Sequence, residues 1–215
     1  MGKQRPFLLW FIALITIFLL AACRTTPPYH ETFDEPGSWR TGDDFDTTGL
    51  VQNGVFDLTV KADDLFIWTT AGKTFSDGIY EVEATPIDGP LNNGYGMLFR
   101  VDNEHNNFYL FKISGDGYVW IGKYQNGGAT LDDIVPLVGD WWFESTAVNQ
   151  GLNVTNHLKV QAEGANLIFY VNNQEVGRVT DNSFTSGDIG LMVETLGLGG
   201  VRVTFDNFKV TPINH

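Results

Sequence analysis

The sequence is poor in the residues that most often build catalytic and metal centres. It has one cysteine, Cys23, so it cannot form an internal disulfide, and a folded domain must be held by its apolar core. Its four histidines, at positions 30, 105, 157 and 215, lack the spacing of a zinc or iron site. There is no Gly-x-Ser-x-Gly motif, and no serine or cysteine has an obvious histidine partner. We therefore expect no nucleophilic catalysis.

Basic residues are also scarce. The chain has 13 lysines and arginines against 26 aspartates and glutamates, which gives a formal net charge of −13. An acidic surface repels nucleic acid and anionic membrane surfaces, and it suits neutral ligands, cationic ligands and divalent cations. We therefore expect no nucleic-acid partner.

The N-terminus combines a positive start with a short apolar run. Lys3 and Arg5 precede residues 7–20, which are apolar apart from Thr16, and small residues follow. This order is typical of a secretory signal peptide. The run is shorter than the roughly 18–20 apolar residues that a membrane-spanning helix needs.

The tetrad Leu20-Ala21-Ala22-Cys23 resembles the bacterial lipobox, in which the chain is cut before a lipidated cysteine. The resemblance implies a signal peptide over 1–22, a lipidated Cys23 with a tether over 23–30, and a domain over 31–215. It also implies an extracytoplasmic location at the cell surface or the periplasmic face, with the lipid as the only membrane contact. The alternative is an ordinary signal peptide followed by a chance cysteine. Cleavage removes two of the 13 basic residues and none of the 26 acidic ones.

The rest of the chain predicts an all-β domain, a two-sheet antiparallel β-sandwich or jelly roll. Its 24 glycines and 13% aromatic residues favour strands joined by many turns. No long segment shows helical periodicity, whereas apolar runs alternate with Gly, Asn and Asp. The predicted strands are 55–60, 65–69, 78–85, 95–101, 107–113, 118–124, 157–162, 166–171, 175–179, 188–194 and 201–210. Hairpin turns are predicted at 114–117 and at Asn172-Asn173.

The segment 125–156 interrupts this pattern. A loop of this length in a compact domain is usually functional or mobile, although the segment could also contain one edge strand. It includes Trp141 and Trp142, the best candidates for stacking on a sugar ring because aromatic rings present a broad apolar face. Adjacent residues point apart, so one of the two could be buried. Trp39 and Trp68 are predicted to lie in the core.

Strand alternation divides side chains between the core and an outward face. In 107–113, Tyr109, Phe111 and Ile113 are predicted to face the core. In 118–124, we assign Tyr118 and Trp120 to the core and the intervening residues to the outside. A concave outward face with an apolar floor and convergent polar groups has the properties of a ligand site, and the alternative is a solvated face with scattered charges. Its candidate ligand-binding residues are Arg100, Phe108, Lys112, Lys123, Met192 and Glu194, joined by Trp141 and Trp142 from the loop.

Two pairs of acidic residues are considered as further candidate sites. Asp34, near the first strand, and Asp206, in the last, could meet and bind a structural calcium ion, because calcium prefers carboxylate and backbone oxygens. Solvated turns are the alternative. Glu81 and Glu83 share one strand face, and we expect this pair to face solvent instead of forming a glycosidase acid pair. No catalytic residue is assigned.

Six segments of the chain together form a recognisable pattern: 94–100, 107–113, 116–118, 167–176, 186–191 and 205–210. This pattern resembles the concanavalin A-like lectin/glucanase superfamily, in its laminin-G-like and family-16-glycoside-hydrolase-like branch. The resemblance implies two packed sheets with a concave face, in proteins that bind glycans, hydrolyse them or act as protein-interaction modules. One related group is the 3-keto-disaccharide hydrolases. The Glu-x-Asp-x-x-Glu strand of the family-16 hydrolases is absent.

These observations favour a surface-anchored, non-catalytic, lectin-like lipoprotein whose partner is a glycan or polysaccharide. One alternative is a glycoside hydrolase-like enzyme of the 3-keto-disaccharide type. It would need a second carboxylate opposite Glu194. The other alternative is a protein-interaction or envelope-structural domain, which would present a flat apolar patch in place of a groove.

Overall fold

A computed structural model describes residues 26–213, so the leader and Cys23 lie outside the described residues. The described chain is almost entirely β-structure with two short 3₁₀ helices, Asn126–Gly128 and Leu131–Asp133. Within it, no helix is long and apolar enough to cross a membrane. The strands are β1 (Tyr29–Glu31), β2 (Gly42–Asp43), β3 (Thr47–Gln52), β4 (Val55–Val60), β5 (Phe66–Thr70), β6 (Gly78–Asp88), β7 (Gly94–Asp102), β8 (Asn107–Ser114), β9 (Tyr118–Tyr124), β10 (Ile134–Glu144), β11 (Asn156–Glu163), β12 (Asn166–Val171), β13 (Gln174–Thr180), β14 (Asp188–Glu194) and β15 (Val201–Pro212).

These strands form two antiparallel sheets. The larger has nine strands in the order β13-β12-β11-β6-β15-β4-β3-β2, with β1 added alongside β15. The smaller has six strands in the order β10-β9-β8-β7-β14-β5. The predicted two-sheet antiparallel sandwich is confirmed.

Alternation of apolar and polar residues explains the larger sheet. In β6, Tyr80, Val82 and Ala84 are fully buried between the sheets, while Glu81 and Glu83 lie on the opposite, outer face. This outer face is the one that we predicted for the two glutamates. A period of two on one half-buried face is the expected pattern of an antiparallel sheet.

The smaller sheet departs from this pattern because its central strands are buried on both faces. Nearly every residue of β7, β8 and β14 is inaccessible to solvent. One face packs against the larger sheet and forms the main core. The other face carries a second apolar cluster, which we call the outer cluster. It contains Leu98, Val101, Phe108, Leu110, Trp120, Tyr124 and Met192, with Phe66, Trp68, Ile134 and Trp142 packed against it.

The long segment 125–156 contains an edge strand. β10 pairs with β9 along the edge of the smaller sheet, so the alternative of a hidden strand is correct. The predicted hairpin turn is also present between β12 and β13. Asn172 and Asn173 both have positive φ, 50° and 64°, which is the backbone conformation of the two-residue turn that suits strand twist.

Candidate functional site on the curved face of the smaller sheet

The outer face of the smaller sheet is concave. Phe66 of β5 stacks on Tyr124 of β9 with ring centroids 5.1 Å apart, although β8, β7 and β14 lie between these strands. In a flat sheet with strands about 4.8 Å apart, the two backbones would be separated by roughly 19 Å. The contact therefore requires the sheet to curl toward this face, which we call the concave face.

A buried ion pair lies at the centre of the concave face. Lys112 of β8 donates hydrogen bonds to both carboxylate oxygens of Glu194 on β14, at 2.6 and 2.7 Å. The two side chains are only 4% and 7% exposed. β7 runs between them, and a Cβ atom added at Gly94 would collide with the Glu194 carboxylate. Glycine at this position therefore leaves room for the pair to meet across the strand.

Aromatic rings enclose the ammonium group of this pair. Lys112 Nζ lies 5.0 Å from the ring centroid of Trp120, 4.9 Å from that of Trp142 and 5.9 Å from that of Phe66. These distances are typical of cation–π contacts. Burial lowers the pKa of Lys112, and the charge of Glu194 and its hydrogen bonds oppose this effect. The concave face thus holds a desolvated charge pair inside an aromatic cage.

The cage belongs to a continuous row of rings across the face. Consecutive centroids are 5.6, 5.1, 5.7 and 6.0 Å apart, in contacts that range from stacked to T-shaped. The row ends at partly exposed Trp68 on β5 and at Trp141 on β10, which is 46% exposed. Both ends are therefore accessible from solvent. We call this set the aromatic row: Trp68, Phe66, Tyr124, Trp120 and Trp141.

An open pocket lies at the Trp68 end, and we call it the rim pocket. It has a volume of about 480 Å³, and its lining combines a tryptophan with arginine, threonine and asparagine residues. Aromatic rings beside hydrogen-bonding groups suit a polar ligand with an apolar face. Its lining includes Arg40, Trp68, Thr70, Asn103 and Asn106.

Our assignment of Trp68 to the core missed this pocket. The alternation of Phe66, Trp68 and Thr70 places all three on the concave face of β5, so the period of two was the available signal. The sequence around Arg40 did not predict its place in the pocket, because Arg40 lies outside the strands and is brought there only by the tertiary structure.

Four predicted ligand residues face the concave side as expected. Phe108 and Met192 are fully buried there, beside the pair of Lys112 and Glu194. The predicted face of these four residues is correct, but aromatic rings fill the centre of the concave face.

Arg100 does not face outward, and that prediction is wrong. Its φ of 52° lies in a bulge of β7 between Phe99 and Asp102, and the resulting change in register turns the side chain into the interior. The guanidinium is fully buried and donates to Asp77, at 2.9 Å, and to the carbonyls of Gly164 and Phe184, at 2.9 and 3.0 Å.

The predicted faces of β9 are reversed. Trp120 belongs to the outer cluster, whereas Val119 and Ile121 lie in the main core. Both faces of this strand are apolar, so alternation alone could not orient it. Lys123 shares the core side and is held at the sandwich edge, where its Nζ donates to Asp181 at 2.8 Å and to Ser183 at 2.6 Å. It therefore lies away from the concave face.

The two loop tryptophans lie on β10, and both rings contact residues of the concave face, so the expectation that adjacent side chains point apart does not hold in this irregular segment. Trp141 is exposed and packs edge-on against Trp120, whereas Trp142 is partly buried over Lys112. Either ring is positioned to contact a ligand on the concave face.

Of the predicted calcium pair, Asp206 lies on β15 of the larger sheet and Asp34 lies in the segment between β1 and β2. Burial raises the pKa of Asp206, and the charges of Glu83 and Asp34 add to this effect, so the two aspartates are close enough to interact. Among residues 26–213, no group of three or more His, Cys, Asp or Glu side chains is positioned to hold a metal ion. Calcium binding stays a prediction.

Comparisons with known proteins were made for sequence and for structure. No protein-family model matches the chain. The chain is 29% identical over 131 residues to a levanase from Bacillus subtilis (strain 168), a match that covers 60% of this chain and 17% of the levanase. The chain thus spans less than a fifth of that relative.

Solved structures share the fold. The carbohydrate-binding module CBM66 from Bacillus subtilis aligns with a TM-score of 0.64 and 21% identity, over 81% of this chain and 96% of that one. A prokaryotic β-1,3-1,4-glucanase (lichenase) derived from a mouse hindgut metagenome aligns with a TM-score of 0.65 and 15% identity, over 87% and 100%. These likenesses confirm the concanavalin A-like jelly-roll fold.

Proposed function

We propose that this chain is a surface-anchored, non-catalytic, carbohydrate-binding lipoprotein that holds its glycan on the concave face. The observation that carries the proposal is the rim pocket, whose lining brings Trp68 together with Arg40, Asn103 and Asn106. A sugar ring has an apolar C–H face that stacks on an indole and a rim of hydroxyl groups that bond to guanidinium and amide groups.

The chemistry of the concave face supports binding in preference to hydrolysis. Glu194 is bonded to Lys112 through both carboxylate oxygens, so its charge is already neutralised. Asp188 lies six residues along the same strand, about 20 Å away at the rise of a β-strand. Glycosidase carboxyl pairs lie only about 5–9.5 Å apart.

The proposed location rests on the sequence of the leader. The positive start, the apolar run and the tetrad ending at Cys23 support export and lipid anchoring. A lipid anchor followed by a short tether would hold the sugar-binding domain close to the envelope, where polysaccharides are available.

The partial likeness to a levanase makes levan the first glycan to test. We would titrate the soluble chain 24–215 with levan and a panel of glycans by calorimetry. Trp68→Ala and Arg40→Ala are expected to weaken binding by about tenfold or more, the equivalent of about 1.4 kcal/mol. Leu131→Ser, on an exposed side chain outside the concave face, is the matched control.

Binding without release of sugar fragments would support a lectin-like role. Release of fragments by the wild-type chain would show an enzyme instead. Failure to bind any glycan in the panel would contradict the proposal and favour a protein-interaction role.

A further inference from the structure

The strand that covers the buried ion pair has an irregular segment. In the pairing of β10 with β9, Val138 lies opposite Ile121 and Phe143 opposite Val119. Four residues, 139–142, therefore stand opposite the single residue Trp120, and Gly139 has a φ of 68°. Such a bulge interrupts the ladder of hydrogen bonds, so this segment can move at lower cost than a paired strand.

The groups beneath this segment have unmet bonding capacity. Trp120 is only 1% exposed, and its buried indole N–H has no hydrogen-bond partner among the residues that the structure describes. A buried donor without a partner is rare and costly, and it often marks a place where another group binds. The adjacent pair of Lys112 and Glu194 is also costly, because removal of two charges from water consumes most of their mutual attraction.

We infer that the centre of the concave face is a closed sugar site, with Trp142 as its lid and Lys112, Glu194 and Trp120 as its recognition groups. The inference rests on the proposed function and extends it from the rim pocket to the centre of the face. When the lid swings outward, its indole vacates the space over the Lys112 ammonium.

The chemistry of the three groups specifies the ligand class. The Glu194 carboxylate accepts hydrogen bonds from two neighbouring hydroxyl groups of one ring, while the ammonium and the Trp120 N–H donate to ligand oxygens. Such a set fits a neutral sugar with vicinal hydroxyls. The pair carries no net charge, so it offers an anionic sugar no net electrostatic attraction.

The first experiment measures whether the lid opens without any ligand. The wild-type chain is treated with an amine-acylating reagent, and labelling of Lys112 is followed by peptide mass spectrometry with exposed Lys73 as the internal reference. Trp142→Ala should raise the relative labelling of Lys112 by about tenfold, because it removes the cover. Trp141→Ala is the matched control, since that ring contacts Trp120 and not the ammonium. Equal labelling of Lys112 in the wild-type chain and in Trp142→Ala would show that Trp142 does not act as a lid.

The second experiment tests recognition. Lys112→Met with Glu194→Leu replaces the pair by apolar groups of similar volume, a change that usually preserves the fold. It should weaken binding of the glycan that binds the wild-type chain by about tenfold or more. The matched control replaces the exposed pair of Arg178 and Glu175 by Met and Leu, and it should leave affinity unchanged.

The outcomes separate the two ideas. Full binding by the doubly substituted chain would overturn the inference and leave the rim pocket as the site. Absence of glycan binding by the wild-type chain would reject the proposed function together with the inference. If the doubly substituted chain does not fold, Trp120→Phe removes only the unpartnered N–H and part of the ring, and unchanged affinity there would overturn the inference.

Discussion

Two cationic side chains are buried within residues 26–213, and they are satisfied in opposite ways. Arg100 is fully enclosed and bonded to the carboxylate of Asp77 and to backbone carbonyls. Lys112 has one carboxylate partner and three aromatic rings. The first arrangement ties loops to the sandwich, because its acceptors are main-chain atoms of separate segments. The second ties together only side chains on one face, so we expect the fold not to require it.

The largest effect is expected at Arg100. Arg100→Met leaves the carbonyls of Gly164 and Phe184 without their donor and removes the ion pair with Asp77. We expect a loss of about 3–5 kcal/mol in the free energy of unfolding, measured by urea denaturation. A loss below about 1 kcal/mol would contradict the structural role of this side chain.

A double-mutant cycle at the caged pair is the next test. Lys112→Met alone leaves the buried Glu194 carboxylate without its cation. It should lower the free energy of unfolding by about 3 kcal/mol or more. Addition of Glu194→Leu should restore stability to within about 1 kcal/mol of the wild-type chain, because no unpaired charge remains. No comparable rescue is expected at Arg100, where the acceptors are backbone groups. If both variants at the cage are equally unstable, the pair is structural after all.

Gly94 provides a smaller perturbation of the same pair. The methyl group of Gly94→Ala would meet the far end of Glu194, which can shift but not leave the cage. We expect the free energy of unfolding, measured by thermal denaturation, to fall by about 1–2 kcal/mol. Gly164→Ala is the control, because a Cβ there meets no atom within 4 Å, although its φ of 55° adds some strain of its own. An unchanged melting temperature in Gly94→Ala would show that the glycine is not needed to seat the pair.

The smallest effect is expected where carboxylates meet without a buried cation. The raised pKa of Asp206 means that the folded state holds a proton more tightly than the unfolded state. Stability is therefore gained as the pH falls through the folded pKa toward the unfolded value, and it is lost again as the pH rises. Asp206→Asn should remove this dependence and raise the melting temperature at neutral pH by no more than about 2 °C, because the site is partly solvated.

Addition of calcium is a second test of the pair formed by Asp34 and Asp206. If the ion binds between Asp34 and Asp206, its addition should raise the melting temperature of the wild-type chain. The melting temperature of Asp206→Asn should not change. Equal responses of the two proteins would reject the predicted calcium pair.

The sequence predicted the fold because its strands repeat one physical pattern. Alternation identified the core faces of β6, β8 and β14, and Asn172-Asn173 located a hairpin turn. Alternation failed where a bulge reversed it, at Arg100, and where both faces are apolar, at Trp120. In each case, the deciding information lies in backbone register or in contacts from other strands.

The candidate site was harder to predict for a related reason. Strand parity placed Lys112 and Glu194 on the correct face. Their burial depends on the curvature that brings Phe66 onto Tyr124, and no local pattern encodes that contact. Arg40, which lies outside the strands, reaches the rim pocket only through the tertiary structure.

The aromatic row also has an optical consequence. Trp120 and Trp141 lie at 81° to one another with centroids 6.0 Å apart, close enough for their electronic transitions to couple. Tyr124 and Trp68 continue the same line of chromophores, so excitation absorbed at one end can migrate along the face. Any molecule that rotates a single indole changes the near-ultraviolet circular dichroism of the whole array. The protein therefore carries its own spectroscopic reporter of changes on the concave face and needs no added dye.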